Sequence, residues 1–344
     1  MIYTNNIVLI EDFSDNLYLF KLNEGTILSY GFQNKDNKFQ EEKISDKALL
    51  EYDISIDNKN NIYTIYQDKS FYLILLIKTE ESTKEIILTE EPMPEVFNLN
   101  LEIIDNFPHI FYNVFLEGKK YRIVHHYYNG DTWVTNLVGD IEINQVLNPM
   151  KIISGEEKIK LIYYNMKKAE EIYCKNFNFK EGKWEKEIKL TENPIGKLYL
   201  DALIIDGKLH LSYCEFDENL VVKYERYNLK DFQREIELEI SNKENISWPT
   251  LIYHENILWI VWAEYENILS RFSLDMGDNW ASIYLWKDIK DKDIVRYKYI
   301  NKKDKNILNH SFGIFGEDIK FIGFGSLDNT IEIPLKKNYI NLRF

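Results

Sequence analysis

Alternation of apolar and polar positions organises this chain. The runs NLYLFKL, NIYTIYQ, HIFYNVF, KIKLIYY, KLHLSYC, ILWIVWA and DIKFIGF share one pattern: an apolar residue, a large residue, then alternating apolar and aromatic positions. That period of two predicts β-strands. Their first apolar residues are Leu17, Ile62, Ile110, Ile159, Leu209, Leu258 and Ile319. Five of the six intervals lie between 45 and 50 residues, and the last is 61. Such regularity marks an internal repeat.

Each unit holds further strand-like runs. A short one such as ISID, LEIID, MKIIS, DALIID or PTLIYH precedes the anchor, and FYLILLI (71–77), YRIVHHYY (121–128), VVKYERY (221–227) or ILSRFSL (268–274) follows it. Then comes KEIILTE (84–90) or its near copy KEIKLTE (186–192). Turn residues separate them, as in DNKNN, EGKK, DGK and HEN. Four strands in about fifty residues is the arithmetic of a β-propeller blade. The chain therefore reads as all-β, one domain over 1–344, a seven-bladed β-propeller of four-stranded antiparallel blades. The ring is expected to close by pairing of N- and C-terminal strands, MIYT beside NTIEIPL. Two stacked β-sandwiches would explain the strands but not their spacing. The long last interval contains KDIKDKDIVRYKYINKKDKN, which reads as a charged surface loop or a lid on one rim.

Composition agrees with strands: 45% of residues are hydrophobic and 15% aromatic, enough for a sizeable core. The net charge of −14 would repel a phosphate backbone, so nucleic acid is not expected as a partner. Cys174 and Cys214 sit in apolar runs and read as buried free thiols, too few for a disulfide scaffold. The N-terminus shows no secretory signal, and no apolar run is long enough for a membrane helix. The expected setting is cytoplasmic, or release or surface assembly by a signal-independent route.

One stretch carries a family resemblance. In FSLDMGDNW, Ser273, Asp275, Gly277 and Trp280 spell Ser-x-Asp-x-Gly-x-x-Trp. This resembles the Asp box of sialidase-like, or BNR-repeat, β-propellers. The resemblance covers one turn of one blade, and Asn279 stands where the family usually has Thr. It implies a structural turn between the third and fourth strands of the sixth blade. It does not bring sialidase chemistry along. That chemistry needs an arginine clamp on a carboxylate, a Tyr–Glu nucleophile and an Asp acid/base. Of the six arginines, Arg122, Arg226 and Arg271 fall on third strands, away from a central funnel, and no Phe-Arg-Ile-Pro motif is present.

Other chemistry is sparse. His125 and His126 are adjacent on a strand and face opposite ways. No metal-binding motif, cofactor motif, nucleophile elbow or phosphate loop is found, and His109, His210, His254 and His310 read as satisfied or exposed histidines ahead of a metal site assembled across blades. Trp248, beside Pro249 at the start of an inner strand, is the candidate rim aromatic for a sugar or partner, with His254 and His210 as further binding candidates. The sequence supports a non-catalytic binding or assembly propeller whose partner is a protein or a carbohydrate. The alternatives are a lectin and a sialidase-like glycoside hydrolase.

Overall fold

The computed structural model of the chain describes residues 2–32, 39–144, 149–154, 158–287, 289, 292–301, 303, 306–314 and 320–336. Among these there is no helix; twenty-nine strands form six sheets. Three sheets are plain four-stranded meanders: Ala48–Ile56 to Thr83–Ile87, Val96–Ile104 to Trp133–Glu142, and Gly196–Ile205 to Arg234–Glu239. A fourth runs from Met150–Ser154 to Lys183–Trp184, with Ile188–Lys189 also paired to its third strand, Glu170–Asn178.

Burial across a meander explains the sequence pattern. Second strands are sandwiched between neighbouring sheets, so both faces are apolar: Ile257–Glu264 is buried at every position but its two ends. Fourth strands face solvent on the outside, and Arg234–Glu239 is exposed at all but one position. The core is accordingly a succession of slabs between consecutive sheets. Trp259, Trp262 and Trp286 belong to these slabs, and both cysteines are buried free thiols.

Two expectations need correction. The N-terminal strand, Ile2–Glu11, does not meet the last strand. It pairs antiparallel with Leu17–Asn23 on one side and parallel with Ile294–Asn301 on the other, joining two meanders into one seven-stranded sheet. Ile7, Leu9, Val295 and Tyr297 form a buried cluster along that seam. Thr330–Ile333 instead extends the sheet that begins at Ile246–His254, pairing with Ile283–Trp286. Its lack of any buried position suits an outer edge.

The last repeat was also misplaced. Ile319 lies outside the described residues, and Lys320–Ile322 after it is a third strand. The second strand is His310–Ile314, so from Ile257 to His310 is 53 positions and the repeat keeps its step. The charged run read as a surface loop contains the strand Ile294–Asn301, whose Arg296 and Lys298 alternate with apolar and aromatic residues. Cations facing one side of a strand looked like a solvated surface. Their neighbours show that this strand is central.

Candidate functional site: the central cavity

Seven strands, each the first of a run of antiparallel neighbours, converge on one cavity of about 650 Å³. They are Ile2–Glu11, Ala48–Ile56, Val96–Ile104, Met150–Ser154, Gly196–Ile205, Ile246–His254 and Ile294–Asn301. Adjacent first strands are tied by carboxylates. Glu51 accepts a hydrogen bond from Leu99 N (3.2 Å), Asp53 from Leu101 N (2.6 Å) and Asp201 from Leu251 N (2.9 Å). Each bond spans about one repeat, so a period of roughly fifty residues is written into the contacts as well as the sequence.

Two ion pairs lie at the cavity. Lys298 Nζ meets Asp53 Oδ2 at 2.5 Å, and Lys151 Nζ meets Asp201 Oδ1 at 2.8 Å. Lys151 Nζ also lies 3.3 Å from His310 Nδ1. Burial, with Arg296, Lys151 and Lys298 nearby, holds His310 well below its ordinary range, so the neutral ring accepts from the ammonium. Burial pulls Lys298 down too, but Asp53 and Glu102 outweigh it and keep its ammonium above the usual value. Removing one member of such a pair would leave a buried charge alone.

The first strands carry bulges at matching places. Pairing slips beside Asn98, Tyr199 and Trp248, and all three residues adopt left-handed backbone, with φ of 53°, 59° and 54°. For residues with a Cβ this conformation is costly, and bulges of this kind re-aim side chains next to functional sites. A local bond closes two of them: Asn100 Nδ2 donates to Asn98 O (2.7 Å) and Thr250 Oγ1 to Trp248 O (2.9 Å).

Trp248 thereby borders the cavity. Tyr199 packs on it at 4.7 Å between ring centroids, and the Arg296 guanidinium lies 5.0 Å from its ring. Arg296 Nε donates to Thr250 Oγ1 at 3.3 Å. Burial lowers Arg296 to about 10, with Asp201 opposing, so it stays charged at neutral pH. Glu51 is raised to about 7 by burial, against the backbone N–H groups of Leu99 and Asn98. A carboxyl group that titrates near neutrality inside a cavity can donate or accept a proton.

The three binding candidates read from the sequence do not converge. Trp248 borders the cavity. His254 stands at the other end of the same strand, edge-on to Phe324 at 5.1 Å. His210 is fully buried in a second strand and bonds Tyr224 Oη at 2.8 Å. The sequence reading missed Glu51, Asp53, Lys151, Arg296 and Lys298. Only their common position on first strands marks them out.

The Ser273–Trp280 turn joins the third and fourth strands of its sheet, Asn267–Ser273 and Ile283–Trp286. Ser273 Oγ donates to Asp275 Oδ1 (2.8 Å) and accepts from Gly277 N (2.7 Å). Asp275 accepts from Asn279 N and Nδ2 (both 2.8 Å), and Trp280 Nε1 donates to Gly277 O (3.2 Å). The turn docks on the preceding sheet, where Arg226 donates to Met276 O (2.8 Å) and to Asp278 (2.9 Å). Ser273, Asp275, Asn279 and Trp280 all spend their polar groups on closing the turn.

No protein-family model matches the chain, and no curated protein does. Solved structures do. A polysaccharide lyase, Uly1, superimposes with a TM-score of 0.61 at 8% identity over 95% of this chain and 88% of its own. A PL25 ulvan lyase bound to -[GlcA(1-4)Rha3S]- gives 0.59 at 9% identity over 92% and 95%. A prolyl endopeptidase gives 0.56 at 10% identity over 90% of this chain and 47% of its own. At these identities the likeness is one of fold. The chain is an all-β protein of propeller type, and its Asp-box turn remains a resemblance to the sialidase-like group.

Proposed function

We propose that the chain is a single seven-bladed propeller that binds carbohydrate in its axial cavity without cleaving it. The blade count is supported by the contacts among first strands: 2–11 touches 48–56, then follow 96–104, 150–154, 196–205 and 246–254. The last of these touches His310–Ile314, the partner of Ile294–Asn301, which pairs back to Ile2–Glu11. On this reading the ring closes between two inner strands, through a parallel seam.

The observation that carries the ligand class is Trp248, held in a strained bulge, backed by Tyr199 and bordering a cavity whose lining mixes aliphatic side chains with carboxylates, amides and cations. An aromatic ring beside the apolar side of a sugar, with polar groups around it for hydroxyls, is how a saccharide is held. The fold-level likeness to polysaccharide lyases is compatible with this and assigns no activity.

Screening on a glycan array, followed by titration of the best glycan, tests the proposal. Trp248→Ala is expected to weaken binding by about tenfold or more, roughly 1.4 kcal/mol. An unchanged affinity would remove the cavity from consideration. One observation favours a second reading, a glycan-cleaving enzyme: Glu51, held at about 7, is suited to acid/base work. Turnover of the bound glycan that disappears in Glu51→Gln would establish it.

A further inference from the structure

We infer that the glycan carries an oxyanion substituent, a carboxylate or a sulfate, and that Arg296 receives it. The inference rests on the carbohydrate reading and narrows it to acidic sugars.

The cavity holds three cations, and they are not equivalent. Lys298 is engaged by Asp53 at 2.5 Å and Lys151 by Asp201 at 2.8 Å. Arg296 has no carboxylate hydrogen-bonded to it among the described residues: Nε donates to Thr250 Oγ1, the guanidinium lies over the ring of Trp248, and Asp201 acts on it only as a nearby charge. Among the described residues neither of its Nη groups has a hydrogen-bond acceptor or an ion-pair partner. A guanidinium presents five N–H donors in a planar fork, and one spent on Nε leaves the outer edge open. A ring stacked on its face directs whatever binds next into the guanidinium plane, where two parallel N–H···O bonds to an oxyanion form.

The other cavity carboxylates do not fill this role. Glu102 acts on Lys298. Glu51 is turned toward the backbone N–H groups of the bulge at 98 and 99, and its raised pKa means that a second anion in the cavity would be met by proton uptake. Arg296 is therefore the one cavity cation whose strongest bonding directions await a ligand.

The experiment is calorimetric titration of the full chain with methyl β-glucuronide, glucose 6-sulfate and methyl β-glucoside. The two charged sugars are expected to bind about tenfold or more tighter than the glucoside. Arg296→Gln should abolish that preference. Arg296→Lys keeps the charge and the stem but not the fork. It should retain only part of the preference, and it covers the case in which the glutamine variant does not fold. Equal affinity for all three sugars, or a preference that survives in Arg296→Gln, would overturn the inference and leave carbohydrate binding standing. No affinity for any of them would overturn both.

Discussion

At the scale of single residues, one turn chemistry recurs. In DFSDN, DNKNN and DMGDN the first Asp accepts from backbone N–H groups through Oδ1 and from the Asn four residues on through Oδ2. The Asn Nδ2 distances are 3.0, 2.8 and 2.8 Å for Asp12–Asn16, Asp57–Asn61 and Asp275–Asn279. The Asp-box turn is thus the most elaborate of a set, and its distinctive residue is Gly277. Its φ is +93°, and an added Cβ would lie 2.0 Å from Tyr224 Oη. Gly277→Ala should cost both the backbone strain and the clash, about 2 kcal/mol or more. Gly118→Ala makes the comparison clean, because Gly118 has φ +57° with nothing near its absent Cβ. It should cost only about 1 kcal/mol. Thermal melts of the two variants measure the difference, and equal losses would mean that the packing of the turn on Tyr224 contributes nothing.

At the scale of elements, the near copies KEIILTE and KEIKLTE prove to be equivalent pieces. Leu88 N donates to Leu73 O and Leu190 N to Ile172 O, while Thr89 and Thr191 hydroxyls accept from Leu73 N (3.3 Å) and Ile172 N (2.9 Å). A third sheet does the same with Ile240 and Ser241 on Val222. The hydroxyl finishes the ladder where the outer strand leaves its neighbour. Thr191 also donates to Glu171 at 2.6 Å and is fully buried. Thr191→Val keeps the shape and strands both partners, so it should destabilise by about 1–3 kcal/mol in urea unfolding. Thr191→Ser, which keeps the hydroxyl, should recover most of that loss, and no recovery would assign the effect to the methyl group instead. The same elements show what the sequence disclosed. Second strands were legible because both their faces are apolar. The first strand Ile294–Asn301 was not, because cavity-facing Arg296 and Lys298 mimic a solvated surface in one dimension. Trp248 was legible from its place beside Pro249. Glu51 and Lys151 were not, since a carboxylate or amine on an alternating strand gives no sign of which side is the cavity.

At the scale of the molecule, sheets that bury both faces trap polar side chains between them, and histidines show it best. Burial pushes His109 and His126 down to about 4 and His210 to about 3, and His125 and His310 lie well below their ordinary range. Their folded pKa values are below the unfolded value of about 6.5, so between those limits the unfolded chain binds more protons. Stability is full above pH ~6.5 and declines as pH falls toward 4. Each histidine contributes a slope of about 1.4 kcal/mol per pH unit across that window. Three carboxyl groups act the other way. Burial raises Glu51, Glu225 and Glu264, so the folded chain takes up those protons first and gains as pH falls. Five histidines outnumber the three carboxyl groups, so unfolding takes up protons on balance and stability falls between pH 6 and 5. Urea midpoints at pH 7, 6 and 5 should therefore fall steadily. Glu51→Gln, which removes one opposing group, should make the fall steeper by about 1 kcal/mol per unit. A midpoint that holds constant, or rises, down to pH 5 would show that the trapped histidines are not neutral in the folded protein.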